Sequence, residues 1–225
     1  FLLGNVLRNL SELTESICAY NEALKRNPNH IEAAINCGNS YKDLGLINEA
    51  IACYDTALKI NPDHQEAIYN KSLVLLNDGQ LEDGWRLYEW RFKSSEAQHK
   101  FVQQPLVKNI DLWRGEALDG NLLVLPEQGI GDQVFFLGML PDLQHKAKRL
   151  TVGSDSRLIP LLQRTYPEVH FIQGESDIDT SQMTAQVHMG SLGQYLRRHA
   201  NDFSAIACPY LLADKLQSAT LRQSM

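Results

Sequence analysis

Two hydropathy patterns divide the chain. Through residues 1–92, apolar positions recur at helical spacing, which predicts a run of paired short amphipathic helices. From Asn121 onward, short apolar runs alternate with helical stretches. Residues 122–125, 150–152, 169–172 and 186–189 read as strands. Residues 157–165 and 192–199 read as helices, and so do residues 132–144, with Phe135, Phe136, Met139 and Leu140 facing inward. Alternation of this kind predicts a parallel sheet with crossover helices, and strands this apolar belong to a sheet covered on both faces. Residues 93–120 have weak periodicity and read as a connector between a helical part, 1–92, and an α/β part, 121–214; residues 215–225 read as a link leading onward.

The first pattern is a repeat. Leu24-Lys25-Arg26-Asn27-Pro28-Asn29-His30 aligns with Leu58-Lys59-Ile60-Asn61-Pro62-Asp63-His64, and Glu32-Ala33-Ala34-Ile35 aligns at the same offset with Glu66-Ala67-Ile68-Tyr69. Each proline ends a unit, because it cannot continue a helix. Gly4, Ser16, Ala23, Gly38, Ala50 and Ala57 recur where two helices must approach closely, with Leu7, Tyr20, Tyr41 and Tyr54 between them, and Gly45 and Gly79 mark turns. Period and residues together resemble the tetratricopeptide repeat. The resemblance covers most of one unit, a whole second, and a third that drifts, with Arg91 where alanine is expected. It implies a helical solenoid whose first helices line a concave face. Asn36 and Asn70 are equivalent on those helices, and Asn5 and Asn39 form a second equivalent pair. Side-chain amides both donate and accept, so such a ladder suits a peptide backbone regardless of its side chains. Its spacing resembles that in the repeat arm of O-GlcNAc transferases, where such asparagines hold substrate peptide. The expected partner of this part is a protein or peptide.

Charge sharpens the division. Residues 1–92 carry 8 basic and 13 acidic groups, net −5, whereas the remainder nets −1. Without a basic face, nucleic acid is not an expected partner. The longest clear apolar run, 134–140, falls short of the ~18 residues a membrane span needs. Cys18, Cys37, Cys53 and Cys208 form no CxxC pair, so neither a metal site nor a disulfide framework is expected; Cys18, Cys37 and Cys53 read as small core residues. A reducing, cytoplasmic setting is the expectation.

In a parallel sheet the chemistry sits beyond the strands' carboxyl ends. Two glycine-bearing loops fall there: Glu127-Gln128-Gly129-Ile130-Gly131-Asp132 and Gly190-Ser191-Leu192-Gly193. The first begins like a dinucleotide fingerprint, but Val134 holds the third glycine position, and Asp132 would repel a phosphate at the helix start. Asp132 suits a general base or a helix N-cap better. The run Leu112-Trp113-Arg114-Gly115-Glu116-Ala117-Leu118-Asp119-Gly120-Asn121-Leu122-Leu123-Val124, followed by the loop from Glu127 to Asp132, Pro141 and Cys208-Pro209-Tyr210, resembles bacterial repeat-fused glycosyltransferase-like proteins of the GT-B, heptosyltransferase-like group. The resemblance implies that residues 121–214 are the acceptor-side, Rossmann-like half of a GT-B fold. It further implies Asp132 as the base that deprotonates an acceptor hydroxyl, with Gln128, Gly129, Gly131 and Ser191 binding substrate and a glycan or protein as acceptor. The nucleotide-sugar donor is expected only with a second half, so no cofactor is assigned to this chain, which reads as a fragment inactive alone. Phe135, Gly138 and Gly193 depart from that group's pattern and favour the alternative, a non-enzymatic peptide-binding scaffold with a degenerate α/β part.

Overall fold

The computed structural model describes residues 1–93, 106–127, 129–173, 178–203 and 211–224. The chain divides into two compact units, Phe1–Gln98 and His99–Met225.

The first unit is three helical hairpins: α1 (Leu2–Asn9) with α2 (Leu13–Arg26), α3 (Ile31–Asp43) with α4 (Ile47–Ile60), and α5 (Gln65–Asn77) with α6 (Leu81–Tyr88). The turns inside the hairpins place Ser11, Gly45 and Gly79, each one repeat period after the last, at φ 64°, 76° and 80°. Glycine meets that left-handed backbone without a Cβ penalty, and Ser11 bears it. Between hairpins, Asn27 Oδ1 accepts from Asn29 N and Asn61 Oδ1 from Asp63 N, both at 3.2 Å. His30 and His64 then cap α3 and α5, each Nδ1 accepting from the amide three residues on.

The small residues set how closely the helices pack. A Cβ on Gly4 would lie 2.6 Å from the Tyr20 ring, and one on Gly38 would lie 2.7 Å from the Tyr54 ring. Ser16 and Ser40, both fully buried, share a hydrogen bond of 2.9 Å across the first hairpin joint. Ala34, Ala50, Ala57 and Ala67 surround Tyr54 in one core cluster. Cys37 joins a second cluster with Ile17 and Tyr20, against which Cys53 packs; its thiol is pushed up by its hydrogen bond with Cys53 and by burial. Cys18, expected in the core, is exposed.

The third hairpin's drift has a physical cause. Arg91 falls where the second hairpin has the fully buried Ala57. Its fully buried side chain donates to Tyr88 O and Glu89 Oε1, and its guanidinium lies over the Phe92 ring at 3.9 Å. The α-helix stops at Tyr88 and continues as a 3-10 turn, Glu89–Phe92, that packs on α5.

The second unit is a five-stranded sheet in the order β1-β5-β2-β3-β4, with every pair parallel. The strands are β1 (Asp111–Leu112), β2 (Leu118–Leu125), β3 (Ala147–Gly153), β4 (His170–Ile172) and β5 (Ala185–His188). Leu122 to Leu125 are fully buried, as a strand covered on both faces requires. Leu123, Leu125 and Ile172 pack under Val107, Ile110, Ile178 and Met183.

Several expectations are corrected here. The stretch read as a connector holds β1 and the start of β2. β1 has two exposed residues and therefore no apolar signature; Gln186 anchors its approach, donating to Val107 O (2.7 Å) and Ile110 O (2.8 Å). The single helix expected over 132–144 is two, α7 (Ile130–Leu137) and α8 (Leu140–Gln144), with the break at Gly138–Met139 and Pro141 opening the second. Phe135, expected inside, is 58% exposed. After α9 (Ile159–Thr165), the helix expected over 192–199 shrinks to α10 (Gly193–Leu196), preceded by a 3-10 turn, Met189–Ser191. Arg197 ends α10 because its buried guanidinium turns to Asp142 Oδ2 at 2.7 Å. The expected link 215–225 contains a helix, α11 (Lys215–Ser224). Cys208 lies outside the described residues. Among the described residues, no helix is long and apolar enough to cross a membrane.

Candidate functional site

The asparagine pairs join across successive hairpins. Asn36 Nδ2 donates to Asn5 Oδ1 at 3.1 Å, and Asn70 Nδ2 donates to Asn39 Oδ1 at 3.1 Å. Each receiving carbonyl takes a second donor, Tyr20 Oη on Asn5 and Tyr54 Oη on Asn39, both at 2.8 Å. The two three-membered networks are thus the same construction displaced by one repeat. Burial pushes the Tyr20 and Tyr54 phenols above their ordinary value, so both stay protonated and keep donating. The sequence shows the tyrosines only as large packing residues. Their role in orienting the amides escapes that reading, although the shared period of Asn5/Tyr20 and Asn39/Tyr54 carries it.

These bonds determine what each rung can offer a ligand. The Asn5 and Asn39 carbonyls are engaged twice, which leaves their amide nitrogens as donors. The Asn36 and Asn70 side-chain carbonyls have no partner among the described residues and remain acceptors. A rung therefore presents a donor and an acceptor side by side, the complement of a peptide unit.

The second unit has its own candidate crevice. From β2 the chain proceeds to β3 and β4 on one side, whereas β5 lies on the other, so the order reverses between β2 and β5. Ligands of open α/β sheets bind outside the strand ends at such a switch point. Glu127, fully buried, closes it from below: its Oε1 accepts from Gly190 N at 2.9 Å and ties the loop after β2 to the loop after β5. Gln133, 1% exposed, does the same toward β3, with Oε1 accepting from Ser154 Oγ (3.2 Å) and Asp155 N (2.9 Å). Sequence reasoning missed the roles of both. Their only signal is that polar side chains flank the glycines in an otherwise apolar stretch.

Asp132 is exposed and sits third in α7; the N-cap position belongs to Gly129, so Asp132 is not the cap. A carboxylate in a first helical turn is favoured by the free N–H groups there. Gly129 and Gly131 are exposed, and a Cβ on Gly131 would meet nothing within 4 Å. Ser191 is 6% exposed and packs against α7 in its 3-10 turn, forming part of the wall rather than an open lining. Gln128 lies outside the described residues. Among the described residues, no group of three or more His, Cys, Asp or Glu side chains could hold a metal ion.

Comparison with known proteins bears on the first unit. Tetratricopeptide-repeat models match residues 1–30, 31–64 and 53–86. The chain carries tetratricopeptide repeats in that region. Protein FlbA of Caulobacter vibrioides is 35% identical over 105 residues, which cover 45% of this chain and 17% of FlbA. The chain therefore spans a small part of that relative's length. Among solved structures, the TPR2B domain of yeast Sti1 in complex with an Hsp70 peptide shares 22% identity over 44% of this chain and 79% of that one, with a TM-score of 0.41. A tetratricopeptide repeat protein from Parabacteroides merdae shares 28% identity over 43% of this chain and 40% of that one, with a TM-score of 0.39.

Proposed function

We propose that the repeats hold an extended peptide segment of a partner protein by its backbone. The observation that carries this is the pair of identical Tyr–Asn–Asn networks, which leave a donor and an acceptor oriented alike on successive hairpins. Backbone recognition of this kind supplies affinity without reading side chains. In the double variant Asn36→Ala with Asn70→Ala, the anisotropy of a fluorescent extended peptide should no longer rise on titration, while the helical circular dichroism stays as in the parent. Unchanged binding in that variant would sink the reading.

A second reading is favoured by one observation in the sheet unit: an exposed carboxylate, Asp132, beside the open backbone of Gly131 at the switch point. On this reading the unit is the acceptor side of a GT-B-like glycosyltransferase. Asp132 takes the proton of a glycan or protein hydroxyl as that oxygen bonds the sugar's anomeric carbon and the nucleotide departs. The nucleotide-sugar donor is then held by residues outside this chain. In a protein that contains this chain together with a donor-binding lobe, Asp132→Asn should lower kcat by roughly a hundredfold or more. An unchanged rate would remove Asp132 from the chemistry. The scaffold reading, in which the sheet unit does no chemistry, requires no transfer in either protein.

A further inference from the structure

We infer that the asparagine face selects an internal, extended segment bearing Lys or Arg, and disfavours an acidic segment or a free carboxylate end. This rests on the peptide-binding reading above and adds the charge of the partner to it.

Helical periodicity places Glu32 one turn before Asn36, and Glu66 one turn before Asn70, on the same face of α3 and α5. Both glutamates are exposed, and they are one repeat apart, so a carboxylate stands in the same place beside two successive rungs. The Glu32 carboxylate lies 3.0 Å from His30 Nδ1, the nitrogen that also accepts from the Ala33 amide as the helix cap. The cations of the three ladder helices each have a carboxylate neighbour, and the Nε of Arg8 is buried without a partner among the described residues. Arg8 Nη2 lies 3.1 Å from Asp43, Lys42 Nζ lies 3.7 Å from the same carboxylate, and Lys71 Nζ lies 2.6 Å from Asp55. An incoming carboxylate thus meets acid at both rungs, and the cations of those helices already face carboxylates. The surrounding field has the same sign, since residues 1–92 carry 13 acidic against 8 basic groups.

A second, independent observation says what the backbone must present. Asn39 is 7% exposed, its carbonyl takes two donors, and its amide nitrogen, with no partner among the described residues, is the part open to solvent. A peptide carbonyl arriving there can take that donor in place of water. Carbonyls of that kind recur along any chain interior. In an extended segment every second side chain points the same way, so one bound by its backbone can direct cationic side chains toward the glutamates.

Four fluorescein-labelled peptides of about ten residues test this. Three are acetylated and amidated, share a Gly/Ser/Thr frame, and differ only in carrying two Lys, two Gln or two Glu. The fourth is the Gln peptide with a free C-terminal carboxylate. Titration with the full chain should show the Lys peptide binding roughly fivefold tighter than the Gln peptide, the size expected of two solvent-exposed charge pairs. The Glu and free-carboxylate peptides should bind more weakly. The preference should collapse in about 0.5 M salt, and also in Glu32→Gln with Glu66→Gln, a surface change that leaves the packing intact. Equal binding of the Lys, Gln and Glu peptides would overturn the charge preference and leave backbone binding standing. Tighter binding of the free carboxylate would overturn it as well. If none of the four binds, the peptide-binding reading itself fails.

Discussion

Asp155 follows the end of β3 with a carboxylate held from several sides. Arg157 donates through Nε and Nη2 at 2.8 Å each, and its backbone amide donates at 3.0 Å. Those bonds favour the charged form and bring the Asp155 carboxyl down from 3.8 to about 2. Because the folded value is depressed, the pair's contribution is present above the unfolded value, and it is lost as pH falls from about 3.9 through about 2. Carbon-detected NMR titration should therefore place the Asp155 midpoint near 2, and Arg157→Gln should return it toward 3.8. A midpoint already at the ordinary value in the parent would mean that the pair does not form in solution. At this scale much is hidden in the sequence. Spacing is enough to name Asp132 and the four asparagines, but not Glu127 and Gln133, because a buried polar residue is written no differently from an exposed one. Its burial is decided by which loops the strand order brings together.

Between elements, the decisive quantity is how close two helices come. Gly38 lets α3 approach α4 until the Tyr54 ring fills the place of a Cβ, and Tyr54 is fully buried and pinned at its hydroxyl by Asn39. The ring cannot step aside without releasing that bond. Gly38→Ala should therefore destabilise the repeat unit by ~1–3 kcal/mol, the usual size of overpacking, read as a lower urea midpoint in the loss of helical signal. A midpoint equal to the parent's would show that the ring yields. Helices and hairpins of this unit are legible because each signal is stated twice, one period apart. The third hairpin shows the limit: Arg91 announces a departure, but the change from α to 3-10 follows from where a buried guanidinium finds its acceptors. In the sheet unit the long apolar strand β2 is visible in part, whereas β1 is not, since its place is held by Gln186 from another strand rather than by its own side chains.

At the scale of the whole molecule, two units with different periods share one chain, and they are unequally readable. Repetition makes the helical unit's fold nearly explicit. The parallel sheet emerges as a class from alternation, but its strand order, and hence the switch point between β2 and β5, becomes visible only in three dimensions. The acidity likewise has a location as well as a size: net −5 falls in residues 1–92, and Glu32 and Glu66 put one carboxylate beside each rung.

The rung bonds have one more consequence. Asn5 and Asn36 belong to neighbouring hairpins, as do Asn39 and Asn70, so each rung spans a joint of the solenoid. Bending at a joint would stretch the rung across it, and the tyrosine anchoring that rung resists from inside the core. The ladder therefore acts as a strain gauge built into the spring: a bend at either joint and the readiness of the amides there to receive a guest are coupled through the bonds of that rung.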